Sequence, residues 1–180
     1  IYTYILPPAM GGRLDYIPNP TLAEDLNNPA IGGARKDLIA ENPSSAGAWY
    51  INEYGKADGS SSLHVIRFAE LYLIRAEARA NMATPDIEGA IADLNVIKER
   101  AGVELLTSAT AEELLLEVEK ERRLELAFEG HRYSDMGRTG RAKEVFGAYD
   151  TFFENPQHWI LPFPHNCILG DPDLEQNPGY

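Results

Sequence analysis

The densest set of chemically able side chains lies in "EKERRLELAFEGHRYSDMGRTGR", residues 119–141, which brings Glu121, Glu125, Glu129, His131 and Asp135 within fifteen positions. Paired carboxylates perform acid–base chemistry when burial separates their pKa values. A histidine among acids binds metal, but the His-x3-His or Cys-rich spacing that makes such a site specific is absent. Structural ion pairing accounts for the pattern better. Glu119 and Arg123 stand at i, i+4, and Arg122/Glu125 and Glu129/Arg132 at i, i+3. Arg122 shares a row with Leu114, Val118 and Leu126, so it is expected to be partly buried and to need a carboxylate. The expectation is therefore no catalytic residue, with a carboxylate-based hydrolase as the rival reading.

Other chemistries lack their motifs. "GGRLD" and "GGARKD" have neither phosphate-loop spacing, and no Gly-x-Ser-x-Gly elbow is present. His64, His131, His158 and His165 are scattered, and the single cysteine, Cys167, has only His165 nearby. No cofactor and no metal is expected. Sixteen basic against 28 acidic residues give a formal net charge of −12. That excludes nucleic acid, whose binding rests on neutralising phosphates, and an anionic membrane surface as direct partner. No apolar run approaches the roughly 20 residues of a membrane span.

The elements that must position these residues fall into three stretches. Residues 1–65 are punctuated by Pro7, Pro8, Pro18, Pro20, Pro29 and Pro43 and read as irregular, with short strands at "TYIL" and "WYINEY". In the latter, Trp49, Ile51 and Glu53 alternate with Tyr50, Asn52 and Tyr54. Residues 66–146 read as a helical scaffold. Its first helix has a stripe of Phe68, Leu71, Tyr72, Arg75, Ala78 and Met82. Its second has Thr84 as N-cap, Pro85 at the first helical position, a face of Ile87, Ala90, Ile91, Leu94 and Ala101, and Gly102 as left-handed terminator. The pair has the length of a tetratricopeptide unit, and Ala78, Ala90 and Leu94 fit its small and apolar positions. A third helix opens on a Thr110/Glu113 capping box and runs toward Gly130. Residues 147–180 form a strap, and its close "HWILPFPHNCILGDPDLEQNPGY", residues 158–180, is too apolar for a free tail; Pro162 and Pro164 favour an extended run docked across the helices.

The ordered blocks "RFAELYLIRAEARA", "AIADLNVIKERAG" and "ERRLELAFEGHRYSDMGRTG", closed by "QNPGY", resemble the C-terminal part of the SusD/RagB family of outer-membrane nutrient-binding lipoproteins, over residues 66–180. The resemblance implies a mainly α fold with tetratricopeptide-like helical hairpins, an irregular N-terminal segment and a C-terminal strap, as one domain over residues 1–180. It implies a non-catalytic cell-surface protein that captures glycans and delivers them to a SusC-like TonB-dependent transporter. Membrane contact would run only through a lipidated N-terminal cysteine, which Cys167 is not placed to supply. The family's close at the C-terminus makes the front the expected missing part.

Scaffold blocks are not where a glycan binds; exposed aromatics on loops suit its apolar C–H faces, and Asn, Asp and Arg suit its hydroxyls. The first expected ligand site is Trp49, Tyr50, Asn52 and Tyr54 in "AWYINEYGKAD", and the second is Arg13, Asp15, Tyr16 in "GGRLDYIPN", with Asn19 alongside. The rivals are a tetratricopeptide-type scaffold binding only proteins, and a SusD-like protein binding peptides.

Overall fold

The computed structural model describes residues 2–56, 58 and 60–180. The chain divides after Gly130 into two compact units. The first holds α1 (Tyr2–Ile5), α2 (Pro20–Asn27), a 3-10 turn (Gly33–Leu38), strands β1 (Ile39–Glu41) and β2 (Trp49–Ile51), and the long helices α3 (Phe68–Ala80), α4 (Ile87–Ala101) and α5 (Ala111–Glu125). The second holds α6 (His131–Arg138), α7 (Ala142–Phe146), 3-10 turns at Thr151–Glu154 and Pro156–Trp159, and α8 (His165–Gly170). The mainly helical expectation holds. "TYIL" is the exception: it forms the short helix α1, not a strand.

The helix ends follow local chemistry. At α5, Thr110 Oγ1 accepts from the Glu113 amide at 3.2 Å while Glu113 accepts from the Thr110 amide at 2.8 Å, the expected reciprocal box. Gly102 closes α4 with φ 71°. The start of α4 differs from expectation: Asp86, not Thr84, is the cap and accepts from the Gly89 amide at 3.0 Å. A carboxylate there opposes the positive end of the helix dipole as well as satisfying a donor.

The core of the first unit lies among α3, α4 and α5. Ala69, Leu73, Ala76 and Ala80 pack against Ala90, Leu94 and Ile97 and against Leu114, Val118 and Leu126. This corrects the expected stripe on α3. Phe68 is 82% exposed, and Leu71, Arg75, Ala78 and Met82 are also exposed. The helix has apolar residues on two faces, separated by Glu70 and Glu77 on one side and Arg75 and Arg79 on the other, so periodicity alone does not choose its inner side. Close approach does, because three alanines let α4 and α5 come nearer than Phe and Met would allow. Each fully buried leucine contributes about 1.5–3 kcal/mol. The α4 face is as expected, with Ile87 and Ile91 at its margin.

The opposite side of α5 carries Leu124, which packs with Ala23, Leu26 and Ile39 of α2 and β1. The strands pair antiparallel with Ala40 opposite Tyr50. Ile5, Ile51 and Tyr54 form a small cluster of their own against Phe128.

The second unit is organised by rings. Tyr133, Phe146 and Phe153 pack together at 5.0–6.5 Å between centroids, and Trp159 donates its indole N–H to the Phe153 carbonyl at 2.9 Å. Gly137 lets the Trp159 backbone come close, because a Cβ would stand 3.0 Å from the Trp159 carbonyl oxygen. Residues 160–164 run without helix or strand, as the prolines predict, and the chain then returns to them. Gln176 brackets Phe163 with bonds of 2.8 and 3.0 Å, Asn177 donates to the Leu161 carbonyl at 2.7 Å, and Tyr180 donates to the Ile160 carbonyl at 2.9 Å.

Candidate functional site

The acidic cluster resolves into long-range joints. Arg35 reaches Glu121 at 2.8 Å, with side chains 6% and 1% exposed, and Lys98 adds contacts of 3.4 Å to Glu121 and 2.7 Å to Glu117. Arg67 donates to Glu125 Oε1 at 2.8 Å, to the Glu125 carbonyl at 2.6 Å and to both oxygens of Glu129, while Arg100 also binds Glu125. Arg123 pairs with Asp25 of α2 and Asp93 of α4 takes Arg75 and Arg79 of α3. So the partners of Glu125 and Glu129 include Arg67 and Arg100, from elsewhere in the fold, where spacing had pointed to Arg122 and Arg132.

Charge follows these contacts. Burial alone would lower the Arg67 pKa, but the hydrogen bonds to Glu129 and Glu125 outweigh it and hold it above its ordinary value. Burial would raise the Glu117 pKa, yet its bond to Lys98 leaves the carboxyl below its usual range. A cavity of about 460 Å³ is lined by Arg35, Glu53, His64, Arg67, Arg100 and Glu125, among others. Three atoms in this region, Arg35 Nε and Nη2 and Glu125 Oε2, are buried without a hydrogen-bond partner among the described residues. These three atoms are closed off from solvent, while Arg100 of the same cluster is 58% exposed. Among the described residues no group of His, Cys, Asp and Glu is disposed to hold a metal ion, and no helix is long and apolar enough to cross a membrane.

The first expected ligand site is placed mostly inward. Tyr50 and Tyr54 are buried, and Trp49 is half-buried against the Leu26/Leu124 cluster. Burial, followed by the nearby Glu129 charge, raises the Tyr54 pKa. Asn52 is exposed, but its amide donates to the Asp37 carbonyl at 3.0 Å. Ala57 of the same stretch lies outside the described residues.

The second stretch is open and organised. Tyr16 is 64% exposed, and its ring meets that of Tyr4 edge to face at 6.4 Å. Arg13 lies 5.3 Å over the Tyr4 ring and pairs with Asp15 at 3.0 Å. Asn19 is the N-cap of α2. The backbone explains the assembly. Leu14 donates to the Leu6 carbonyl at 3.0 Å and Tyr16 to the Tyr4 carbonyl at 3.1 Å, so residues 13–16 return antiparallel beside α1. Gly12 permits this, because a Cβ there would sit 2.1 Å from the Leu6 oxygen. Leu14 is held at φ 54°, a left-handed conformation rare for a bulky residue. Such outliers cost about 1–3 kcal/mol and gather where a loop must present particular side chains. Tyr4 is the member that sequence reasoning missed; the Gly11-Gly12 turn between two tyrosine-bearing stretches was the available signal.

A family model described as the SusD family matches residues 45–180, and the chain belongs to the SusD family. It is similar to SusD-like protein P38 of Formosa agariphila, with 33% identity over 72% of this chain and 28% of the relative. A solved laminarin-binding SusD-like protein aligns over 90% of this chain and 38% of its own, with 30% identity and a TM-score of 0.66. A SusD superfamily structure from Bacteroides vulgatus shares the fold over 98% of this chain and 47% of its own, with 17% identity and a TM-score of 0.80. The chain spans 28% and 32% of the lengths of two curated relatives it matches.

Proposed function

We propose that this chain captures glycan on its Tyr4/Arg13/Asp15/Tyr16 surface and works without catalysis, as part of a cell-surface protein that passes glycan to a TonB-dependent transporter of the outer membrane. The observation that carries the reading is the exposed pair of tyrosines beside a salt-bridged Arg and Asp on a preset turn. Sugar C–H faces pack on the rings, and hydroxyls bond to the carboxylate and to guanidinium N–H groups not spent on it. Kinship with a protein described as laminarin-binding supports the ligand class. Delivery, outer-membrane location and lipid anchoring are carried over from the family resemblance. Trp49, Tyr50 and Tyr54 then serve mainly to hold the hairpin, with Asn52 fixing its edge.

Calorimetry against a panel of polysaccharides tests the reading. Binding that falls at least about tenfold, 1.4 kcal/mol, in Tyr16→Ala is expected. If no glycan bound, the reading would fail. The protein-scaffold alternative has its own observation, the exposed Leu63, Val65, Ile66 and Phe68 leading into α3. A transporter that co-purifies while every glycan fails to bind would favour it.

A further inference from the structure

The glycan-capture surface also carries information about the charge of what it captures. Its cation, Arg13, already faces a ring and a carboxylate. The guanidinium lies over the Tyr4 ring at 5.3 Å, where the ring's negative face attracts it, and Nη2 meets Asp15 Oδ2 at 3.0 Å. Within the set of Tyr4, Arg13, Asp15 and Tyr16 the charges cancel. Around it lies a chain of formal net charge −12. Proteins that take carboxylated or sulfated ligands offer an arginine fork free to bind two oxygens at once. Here Asp15 holds one end of the fork, Nη2, and a carboxylate that took the remaining N–H groups would lie beside the Asp15 carboxylate. Like charges brought that close disfavour each other. The long-range field works the same way, and salt weakens it over a screening length of about 8 Å at physiological ionic strength.

Two tyrosine rings set at 66° suit the opposite kind of ligand, one with an apolar sugar face and uncharged hydroxyls. Gly12 and Leu14 fix the loop before the ligand arrives, so little ordering cost is left to binding. We infer that the ligand is a neutral glycan and that polyanionic glycans are turned away by the Asp15 carboxylate and the acidic chain. This rests on the capture reading above.

The test compares laminarin, starch and xylan with polygalacturonate and a sulfated polysaccharide by calorimetry at low and high salt, using the full chain. At least one neutral glycan is expected to bind with an affinity nearly independent of salt. The polyanions are expected to bind at least about tenfold more weakly. Asp15→Asn, at an exposed position, leaves Arg13 unopposed and should raise polyanion binding, most at low salt. A polyanion that binds the unaltered chain as tightly as any neutral glycan, and loses binding in Arg13→Met, overturns the inference while leaving capture intact. Failure of every glycan, neutral and charged, overturns capture and this inference together.

Discussion

Arg35 and Glu121 are 86 residues apart in sequence and 2.8 Å apart in space, and both are almost wholly removed from solvent. The pair ties the 3-10 turn after α2 to the middle of α5. Each ion was taken from water to make it, and Lys98 adds only a longer contact of 3.4 Å to Glu121. Removing one partner of such a pair costs about 3–5 kcal/mol, whereas replacing both by apolar groups of like volume costs much less or stabilises. Glu121→Gln is therefore expected to destabilise the chain by about 3–5 kcal/mol in urea unfolding. Arg35→Met combined with Glu121→Leu should recover most of the loss. An unchanged midpoint in the single variant would show that the pair is not desolvated in solution.

Glu117 links stability to pH. Its folded pKa lies below the ordinary 4.5 because the Lys98 bond outweighs burial. The folded state therefore holds the proton less tightly than the unfolded one. The contribution is complete above the unfolded value and disappears as pH falls through the lower folded value. Stability should drop on acidification below about 4.5, and Lys98→Met should flatten that part of the profile. Thermal unfolding at a series of pH values reads it directly; an unaltered acid limb in the variant would refute the assignment.

The inner side of α3 is open to a paired test. Leu73→Ala removes a side chain with no exposed surface from between α3, α4 and α5 and should cost about 2–5 kcal/mol. Phe68→Ser, on the outer side, should change stability by no more than about 0.5 kcal/mol. The reverse ranking in chemical denaturation would restore the Phe68 stripe as the buried one.

Ending the chain after Gln157 removes Trp159, Tyr180 and the residues that bracket Phe163. The Phe153 carbonyl loses its indole partner and the stacked His158 leaves the Phe152 ring. A lower melting temperature is expected, about 2–4 °C for each kcal/mol lost. An identical melt would mean that the closing segment is not held in place.

What could be read from sequence was what short spacing decides. Thr110 and Glu113 sit three apart and Gly102 follows a basic last turn, so cap and terminator were visible without knowing any partner. Arg35–Glu121, Arg67–Glu129 and Arg123–Asp25 were not, because their separations run from 62 to 98 residues and no local rule selects among so many acids and bases. Tyr50 and Tyr54 share their sequence neighbourhood with exposed Asn52, yet both are buried, Tyr54 in the cluster of Ile5 and Ile51 beside Phe128. Arg13, Asp15 and Tyr16 were found as a local cluster. Tyr4 joins them only through a turn whose tightness depends on Gly12 and a left-handed Leu14.

The same long separations bear on how fast the fold comes apart. Loops of that length must close before their ion pairs can form, so the pairs are expected to form late. Interactions completed after the barrier slow unfolding and leave the folding rate nearly untouched. The Arg–Glu joints on α5 are then expected to act as brakes on escape from the native state, and their loss should show first as a shorter lifetime against proteolysis when cleavage outpaces reclosing.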